Sequence, residues 1–368
     1  MNPIRFLVAT GLLLLGLGVP LAQARSIEHV ILISVDGLHP DAVTTLIDQG
    51  LAPNFLRLRT EGSFTDNART DPEVAYTLPN HASMFTGHHV FGNDGHGWTL
   101  NEDPGKPITL HLSKSLQKGR RVYIASVFDI VHDHGLSTAL YANNGDFRIF
   151  NRSWNKTNGA RDRTGPDNGR DKIDTFFSDD DMTTVANAFV SDMAQSHYHF
   201  AFLHLREPDS TGHAKGWLSS EYLEAVRAVD AVLGMIFGLV DTDPELSGKT
   251  ALILTADHSG EPGTTFHLLL PPYLIESGIV PFYVWGPGVA TNAEFYTLNP
   301  ASRLDPERTI PSTSEFPPPI RNGDAANLVL DLFGRPDSDL NLPSVRGSVI
   351  NREQNLFTQC NFIAEGCL

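Results

Sequence analysis

Cysteine and positive charge are both scarce in this sequence, and each shortage argues against a kind of protein. The two cysteines, Cys360 and Cys367, lie near the end of the 368-residue chain, far from the Asp and His residues considered below. A metal site built on cysteine thiolates is therefore not expected. Lys and Arg together number 27 against 43 Asp and Glu, so the formal net charge is -16. Because binding to a nucleic-acid duplex needs clustered Lys and Arg, we do not expect such a partner.

Long apolar runs are also scarce, and the one at the beginning of the chain has the composition of a secretory signal. Arg5 precedes an apolar stretch over residues 6–20, and Ala22, Gln23 and Ala24 fit an A-x-A cleavage site. The stretch is shorter than the ~20 residues that a membrane-spanning helix needs. We therefore predict a signal peptide over residues 1–24 and an exported protein, periplasmic or extracellular. An uncleaved membrane anchor is the alternative.

The mature chain divides into one large domain and a short tail. Residues 25–340 are sufficient for a single large α/β domain. Within it, residues 143–171 are polar and rich in Gly, Asn and Arg, which predicts a long surface excursion. Residues 341–368 form a tail in which Cys360 and Cys367 are able to close a small loop by a disulfide in an oxidising compartment. Two free thiols are the alternative.

Three short apolar runs each lead directly into acidic or histidine side chains. They are residues 29–35 before Asp36, residues 199–205 before Asp209 and His213, and residues 251–254 before Asp257 and His258. Such runs predict buried parallel strands, and ligands lie beyond the carboxyl ends of strands of this kind. With helical stretches between them, they predict an α/β fold. Its central sheet is mostly parallel and flanked by helices on both faces, and its active site lies at the C-terminal strand ends.

Other patterns predict the remaining elements. The clearest is a helix over residues 221–239, where apolar residues recur at helical spacing. Further helices are expected over residues 41–49, 127–134, 183–195 and 325–333, and further strands over residues 122–125, 137–141 and 281–285.

Six of the acidic and histidine side chains form two sets of similar composition. These side chains are Asp36, Asp209, His213, Asp257, His258 and His267. Carboxylate oxygen and imidazole nitrogen suit zinc and similar divalent ions, so the sets are sufficient for two metal ions. A structural ion-pair network is the alternative.

A hydroxyl nucleophile is available in the segment from Thr77 to His81, which has few helix signals and is interpreted as a turn stiffened by Pro79. A threonine hydroxyl bound to a metal ion deprotonates more readily and becomes able to attack phosphorus. The Asn80 amide is a candidate donor to a phosphoryl oxygen as charge builds there. Ser83 and Thr86 compete with Thr77 as the nucleophile, and Asn80 has the alternative role of bracing its turn.

Taken as an ordered set, these segments resemble the alkaline phosphatase superfamily, in its nucleotide pyrophosphatase/phosphodiesterase branch. The matching segments are residues 33–37, 77–81, 86–87, 96–97, 209–213, 216–217, 255–258 and 281–288. The chain departs from the common pattern at Ser259, where many relatives have Gly. The loop after His267 is also unusually apolar, which is compatible with a wall for a lipid-like leaving group or with simple packing.

The resemblance implies a role for each residue. Asp209, His213 and His267 would bind one Zn²⁺, and Asp36, Asp257 and His258 would bind another, next to the oxygen of Thr77. Thr77 would form a phosphoryl-threonine intermediate, and Asn80 would contact a non-bridging oxygen of the substrate. The two ions would stabilise the attacking and leaving oxygens in turn.

We therefore predict an exported hydrolase that acts on a small phosphate ester through Thr77. Since no Arg or Lys adjoins Thr77 to hold the extra charge of a monoester, diesters or nucleotide pyrophosphate-type bonds are favoured. The alternatives are a phosphomonoesterase on the same site and a non-catalytic metal- or phosphate-binding protein. A sulfatase is disfavoured because those enzymes use a modified Cys or Ser with a nearby Arg. The leaving group, the choice among zinc, manganese and iron, and the oligomeric state stay open.

Overall fold

The computed structural model describes residues 27–92, 95–111, 123–267 and 274–333. The predicted signal peptide, the tail with Cys360 and Cys367, and the apolar loop after His267 lie outside these residues and stay predictions. Among the described residues, no helix has both the length and the apolar character that crossing a bilayer requires.

One mixed sheet of eight strands forms the centre of the described part of the chain. In chain order the strands are β1 (His29–Val35), β2 (Ser63–Arg69), β3 (Thr138–Ala142), β4 (Thr175–Ser178), β5 (Phe200–Leu205), β6 (Thr250–Thr255), β7 (Ile279–Trp285) and β8 (Ala293–Glu294). Their spatial order is β4-β3-β5-β1-β6-β7-β2-β8. All neighbours pair in parallel except β7, which runs antiparallel to both β6 and β2. The predicted α/β fold with a mostly parallel sheet is therefore confirmed.

Helices flank this sheet in two packing groups. In chain order they are α1 (Pro40–Asp48), α2 (Pro53–Glu61), α3 (Thr77–Thr86), α4 (Val127–Asp133), α5 (Arg148–Ser153), α6 (Met182–Ser196), α7 (Glu207–Lys215), α8 (Ser220–Thr242), α9 (Leu274–Gly278), α10 (Phe295–Leu298) and α11 (Asp324–Phe333). The long helix α8 packs against α1, α2, α6 and α7, whereas α11 packs against α3 and α4. Both groups bury apolar side chains against the sheet, in which β1, β3, β5, β6 and β7 are almost fully buried.

One local prediction is wrong and another is wrong over part of its range, for identifiable reasons. Residues 123–125 are irregular instead of a strand, because the Ile124 backbone pairs with side chains: its N–H donates to His111 Nδ1 (2.9 Å) and its carbonyl accepts from Trp154 Nε1 (2.9 Å). The first part of the predicted surface excursion over residues 143–171 belongs to the hydrophobic core. There, Phe147, Phe150 and Trp154 are fully buried on α5 and its flanks. Their spacing of three and four residues is that of one helical face, which the polar composition of the whole segment concealed.

The three strands that precede the predicted ligands are neighbours in the sheet. β1 lies between β5 and β6, and the pairing is parallel on both sides, with Ser34 opposite His204 and Thr255. Parallel neighbours end at the same edge, so the residues that follow β1, β5 and β6 meet there.

Candidate metal centre

A tight turn after β1 brings the three strand ends into contact. Gly37 has φ +67, a conformation that favours glycine, and a Cβ on it would lie 2.9 Å from the Cα of Asp209. Its N–H donates to Asp257 Oδ1 (3.1 Å). The turn therefore holds the backbone of Asp36 against both of the other acidic residues.

Asp36, Asp257 and His258, predicted as one ligand set, form one buried group. His258 Nε2 lies 3.4 Å from Asp36 Oδ1 and 3.3 Å from Asp257 Oδ2. All three side chains are at most 1 % exposed. One potential ligand atom from each residue lies within 4.8 Å of the others, which is the spacing that a single ion requires.

The second predicted set lies beside the first. Asp209 and His213 are four residues apart on α7 and therefore share one helix face. His213 Nε2 is 3.4 Å from Asp209 Oδ1, and His267 Nε2 is 4.0 Å from the same oxygen. The ring of His258 stacks on that of His267 at 3.7 Å between centroids, which joins the two groups. All six predicted ligands thus converge at the carboxyl ends of the strands.

Unpaired buried atoms within this cluster fit divalent cations. Asp36 Oδ1, Asp209 Oδ1, Asp257 Oδ2 and His258 Nε2 are buried without a hydrogen-bond partner among the described residues. Leaving such atoms unpaired is costly, and native proteins rarely do it without a ligand. Carboxylate and imidazole donors are the ones that zinc prefers.

The histidines of the cluster are held in the orientation that metal ligation requires. His213 Nδ1 contacts the carbonyl of Thr265 (2.9 Å), His258 Nδ1 that of Ser259 (3.1 Å), and His267 Nδ1 that of Ala75 (2.7 Å). A carbonyl can only accept, so each Nδ1 carries the proton and each Nε2 lone pair faces the cluster. Such outer contacts commonly orient histidine ligands of metals.

The electrostatics of the cluster also favour bound cations. Burial raises the pKa of Asp36 well above its usual value, and the charges of Asp257 and Asp209 raise it further. Burial likewise raises the pKa of Asp209. For Asp257 the effect of burial is outweighed by His258 and His81, which hold its pKa at about 2. Burial, together with the neighbouring His258, lowers the pKa of His267 to about 2, so this ring is neutral. Three carboxyl groups confined in one buried volume repel one another unless cations separate them.

Thr77 begins helix α3 and does not lie in a turn, which corrects the prediction for this segment. Pro79 is compatible with the helix because first-turn N–H groups have no intrahelical acceptor. His81 connects this helix to the metal cluster: its Nδ1 contacts the Thr77 carbonyl (2.7 Å) and lies 3.9 Å from Asp257 Oδ2. The N-terminus of a helix is a favourable place for a phosphoryl group.

The competing hydroxyl groups lie further along α3 and are already paired. Ser83 Oγ contacts His96 Nε2 (3.1 Å), and Thr86 Oγ1 donates to the carbonyl of Ala82 (2.6 Å). The hydroxyl of Thr77, by contrast, makes no hydrogen bond within the described residues. This difference favours Thr77 among the three candidate nucleophiles.

Asn80 is fully buried, and its amide is fully used inside the protein. Nδ2 donates to the carbonyls of Val74 (2.7 Å) and Tyr76 (3.1 Å). Oδ1 accepts from the Asp71 N–H (3.0 Å) and from Asn322 Nδ2 (3.1 Å). With both amide hydrogens donated, these contacts favour the bracing role over the expected contact with a phosphoryl oxygen.

A different amide, Asn101, lies at the open end of α3. Its Oδ1 accepts from the N–H of Leu78, the residue after Thr77 (3.0 Å), and its side chain is exposed. This bond fixes the amide and leaves Nδ2 without a partner among the described residues. Sequence reasoning missed Asn101; the only signal was its position shortly after the matched segment at His96 and Gly97.

Two further residues near the cluster were also missed. His204, which lies on β5, places Nε2 3.0 Å from Asp36 Oδ2. Arg206, directly after β5, is exposed and forms no ion pair within the described residues. Burial raises the pKa of Asp36 and of Asp209, and the Arg206 charge offsets part of this increase. The positive charge of Arg206 therefore lies close to the candidate site.

Comparisons with known proteins identify the family of this chain. The family model for type I phosphodiesterase / nucleotide pyrophosphatase matches residues 30–306. Ectonucleotide pyrophosphatase/phosphodiesterase family member 1 of Rattus norvegicus is 29% identical over 237 residues, which cover 64% of this chain and 24% of that protein. The Homo sapiens protein of the same name is 25% identical over 244 residues, with the same coverage. The chain thus spans about a quarter of the length of these curated relatives.

A solved structure shows the same fold. Murine ectonucleotide pyrophosphatase / phosphodiesterase 5, an inactive threonine-to-alanine variant in complex with AMP, superposes with a TM-score of 0.55 at 14% identity. The match covers 83% of this chain and 95% of that one. Together with the family match across most of the chain, it leads to one assignment: the chain belongs to the type I phosphodiesterase / nucleotide pyrophosphatase family.

Proposed function

We propose that this protein is an exported two-metal hydrolase that cleaves phosphate esters through a phosphoryl-threonine intermediate. Phosphodiesters or nucleotide pyrophosphate-type bonds are its favoured substrates. The observation that carries the proposal is the set of four buried, unpaired ligand atoms next to the helix that begins at Thr77. Family membership supports the reaction class, and the inactive solved relative carries its substitution at a threonine.

Under this proposal the ligand sets are those expected from the sequence. Asp36, Asp257, His258 and Thr77 hold one divalent ion, most simply Zn²⁺, and Asp209, His213 and His267 hold the other. When bound, the ions supply Lewis acidity and lower the pKa of an attached hydroxyl group.

The protein's own groups then carry out two displacements. Thr77 Oγ1 attacks phosphorus, the bond from phosphorus to the leaving oxygen breaks, and that oxygen takes up the proton that Thr77 lost. Water attacks the phosphoryl-threonine in the second step, which releases the phosphate product and restores the hydroxyl. Among the described residues, the Asn101 Nδ2 group and the Thr77 N–H are donors available to the phosphoryl oxygens, whereas the Leu78 N–H donates to Asn101 and Pro79 has no N–H.

Arg206 supports a second candidate function, hydrolysis of phosphomonoesters. A monoester carries one more negative charge than a diester, and an Arg or Lys often holds that charge. No Arg or Lys adjoins Thr77 in the sequence, but the charge of the exposed Arg206 affects two of the carboxyl groups. We favour diesters because Arg206 follows β5 and is not attached to the helix of the nucleophile.

The test compares Thr77→Ala with wild type on bis- and mono-p-nitrophenyl phosphate after loading with zinc. We expect kcat/KM to fall by more than about 1,000-fold in the variant, as when other nucleophiles are removed, while most bound zinc is retained. The wild type should prefer the diester. Thr86→Ala is a matched control, since it removes a buried hydroxyl of the same helix that donates to the Ala82 carbonyl and accepts from the His88 N–H.

Three results would contradict parts of the proposal. Full activity of Thr77→Ala would exclude this residue as the nucleophile. A strong preference for the monoester would favour the second candidate function. Zinc binding without hydrolysis of either activated ester would favour a non-catalytic binding protein.

A further inference from the structure

His204 is a polar residue in one of the most buried positions of the sheet. It lies on the central strand β5, is fully buried, and is paired in register with Ser34 of β1. Its ring is 4.4 Å from that of Phe147 and 5.1 Å from that of His81, between centroids. Its Nδ1 has no hydrogen-bond partner among the described residues. An apolar side chain at this position would destabilise the folded protein less, because a buried unpaired nitrogen is destabilising.

Within the described part of the chain, the only hydrogen bond of this ring is with Asp36. His204 Nε2 donates to Asp36 Oδ2 at 3.0 Å, and the Asp36 backbone N–H donates to the carbonyl of Leu205 at 2.9 Å. The side chain and the backbone of Asp36 are therefore both tied to the end of β5. Because His204 sits inside a strand, its ring position is set by the sheet.

Because of this contact, the two carboxylate oxygens of Asp36 have different surroundings. Oδ2 is occupied by His204, while Oδ1 is unpaired and 3.4 Å from His258 Nε2. Asp257 shows the same division: its Oδ1 accepts from the Gly37 N–H, and its Oδ2 is unpaired. In each carboxylate, one oxygen is held by the protein and the other faces the cluster. A carboxylate fixed at one oxygen has less freedom to rotate or to bind an ion through both oxygens.

We propose that His204 is a positioning residue for the metal ion held by Asp36, which it orients through Oδ2. The inference rests on the proposed metal centre. It assigns to His204 no contact with substrate, and it predicts an effect on one ion more than on the other, because the ring contacts none of Asp209, His213 and His267. Outer-sphere partners of this kind typically change metal affinity by about 10–100-fold when they are removed.

The experiment measures zinc affinity by competition with a chromophoric chelator, on protein stripped of metal and checked for folding by circular dichroism. His204→Phe removes the donor. His204→Gln places an amide N–H near the position of Nε2, whereas His204→Asn is polar but too short to reach Asp36. The matched control is His29→Gln on β1, a buried strand histidine whose Nδ1 contacts the carbonyl of Tyr198 (3.0 Å).

We expect His29→Gln to bind two zinc ions, each with an affinity similar to that of the wild type. In His204→Phe and His204→Asn one ion should be weakened about 10–100-fold, while His204→Gln recovers most of the loss. If Phe prevents folding, the comparison of Gln with Asn carries the test. Equal affinities in all variants, or equal weakening of both ions, would overturn the inference and leave the proposed function intact. A wild-type protein that binds no zinc would overturn both.

Discussion

Asn80 on helix α3 and Asn101 beside the start of that helix have amides that are paired differently. Asn80 uses both hydrogens and its oxygen inside the fold, whereas Asn101 uses only its oxygen, on the Leu78 N–H. A donor has to be unpaired before it can contact a substrate, so the pairing separates a bracing residue from a candidate catalytic one.

The substitutions Asn101→Ala and Asn80→Ala should therefore have opposite signatures. Loss of a donor to the transition state costs about 100- to 1,000-fold in kcat, and we expect Asn101→Ala to approach that loss with little change in melting temperature. Asn80→Ala leaves buried partners unpaired, which costs about 1–3 kcal/mol for each group. Steady-state kinetics on bis-p-nitrophenyl phosphate, together with thermal unfolding, distinguish the two. Unchanged kcat in Asn101→Ala would exclude the role proposed for it.

At the scale of elements, a single buried tryptophan joins the loops that carry the ligands. Trp217, just after α7, donates from Nε1 to the Gly37 carbonyl (2.9 Å), and its ring lies 5.1 Å from that of His213, between centroids. Gly212 and Gly260 lie against the indole, and a Cβ on Gly212 would be 2.7 Å from it. The turn after β1, the helix after β5 and the loop after β6 are thus held by one side chain.

We expect Gly260→Ala to loosen this junction, because its Cβ would overlap the indole ring. Overpacking of a rigid core typically costs about 1–3 kcal/mol, and displacement of Trp217 should also weaken zinc binding. Gly238→Ala on α8 is the control, since nothing lies within 4 Å of a Cβ there; it should be neutral or slightly stabilising. Thermal unfolding and zinc titration of both variants provide the test, and equal stability of the two would contradict the role of Trp217.

For the whole molecule, the proposed metal binding is coupled to protonation through the buried carboxyl groups. The raised pKa values of Asp36 and Asp209 mean that these groups keep a proton above the usual carboxyl range, where the unfolded chain has lost it. Their contribution to the stability of the metal-free protein is present at low pH and is lost as pH rises through the raised values. A metal ion competes with these protons for the same oxygens, so metal affinity rises over the same range.

Removal of metal by a chelator should therefore lower the melting temperature, and by more at pH 7 than at pH 5. An ion present at 100 times its dissociation constant stabilises the folded state by about 2.7 kcal/mol, and protonation of the ligands reduces that contribution at lower pH. Thermal unfolding with zinc and with chelator across this range measures the effect. A zinc-induced shift that is absent, or that decreases as pH rises, would contradict the proposed ligand set.

The sequence by itself determined the parts that depend on local pattern. The apolar runs before Asp36, Asp209 and Asp257 identified three strands and the candidate ligands that follow each strand. Such runs are expected because the strands of a parallel sheet are buried on both faces. Conversely, the helix at Thr77 and the core helix α5 were missed, because polar or turn-forming residues concealed them and tertiary packing decided their conformation.

Only the tertiary structure decided which polar groups are already paired. Asn80 accepts from Asn322, His204 donates to Asp36, and Trp217 donates to Gly37, each across more than 160 positions of the chain. No spacing in the sequence indicates such contacts, since they arise only when tertiary packing brings these distant segments together. Residue type therefore determined which side chains are able to bind metal or phosphate, and the fold determined which of their atoms are unpaired and directed into the site.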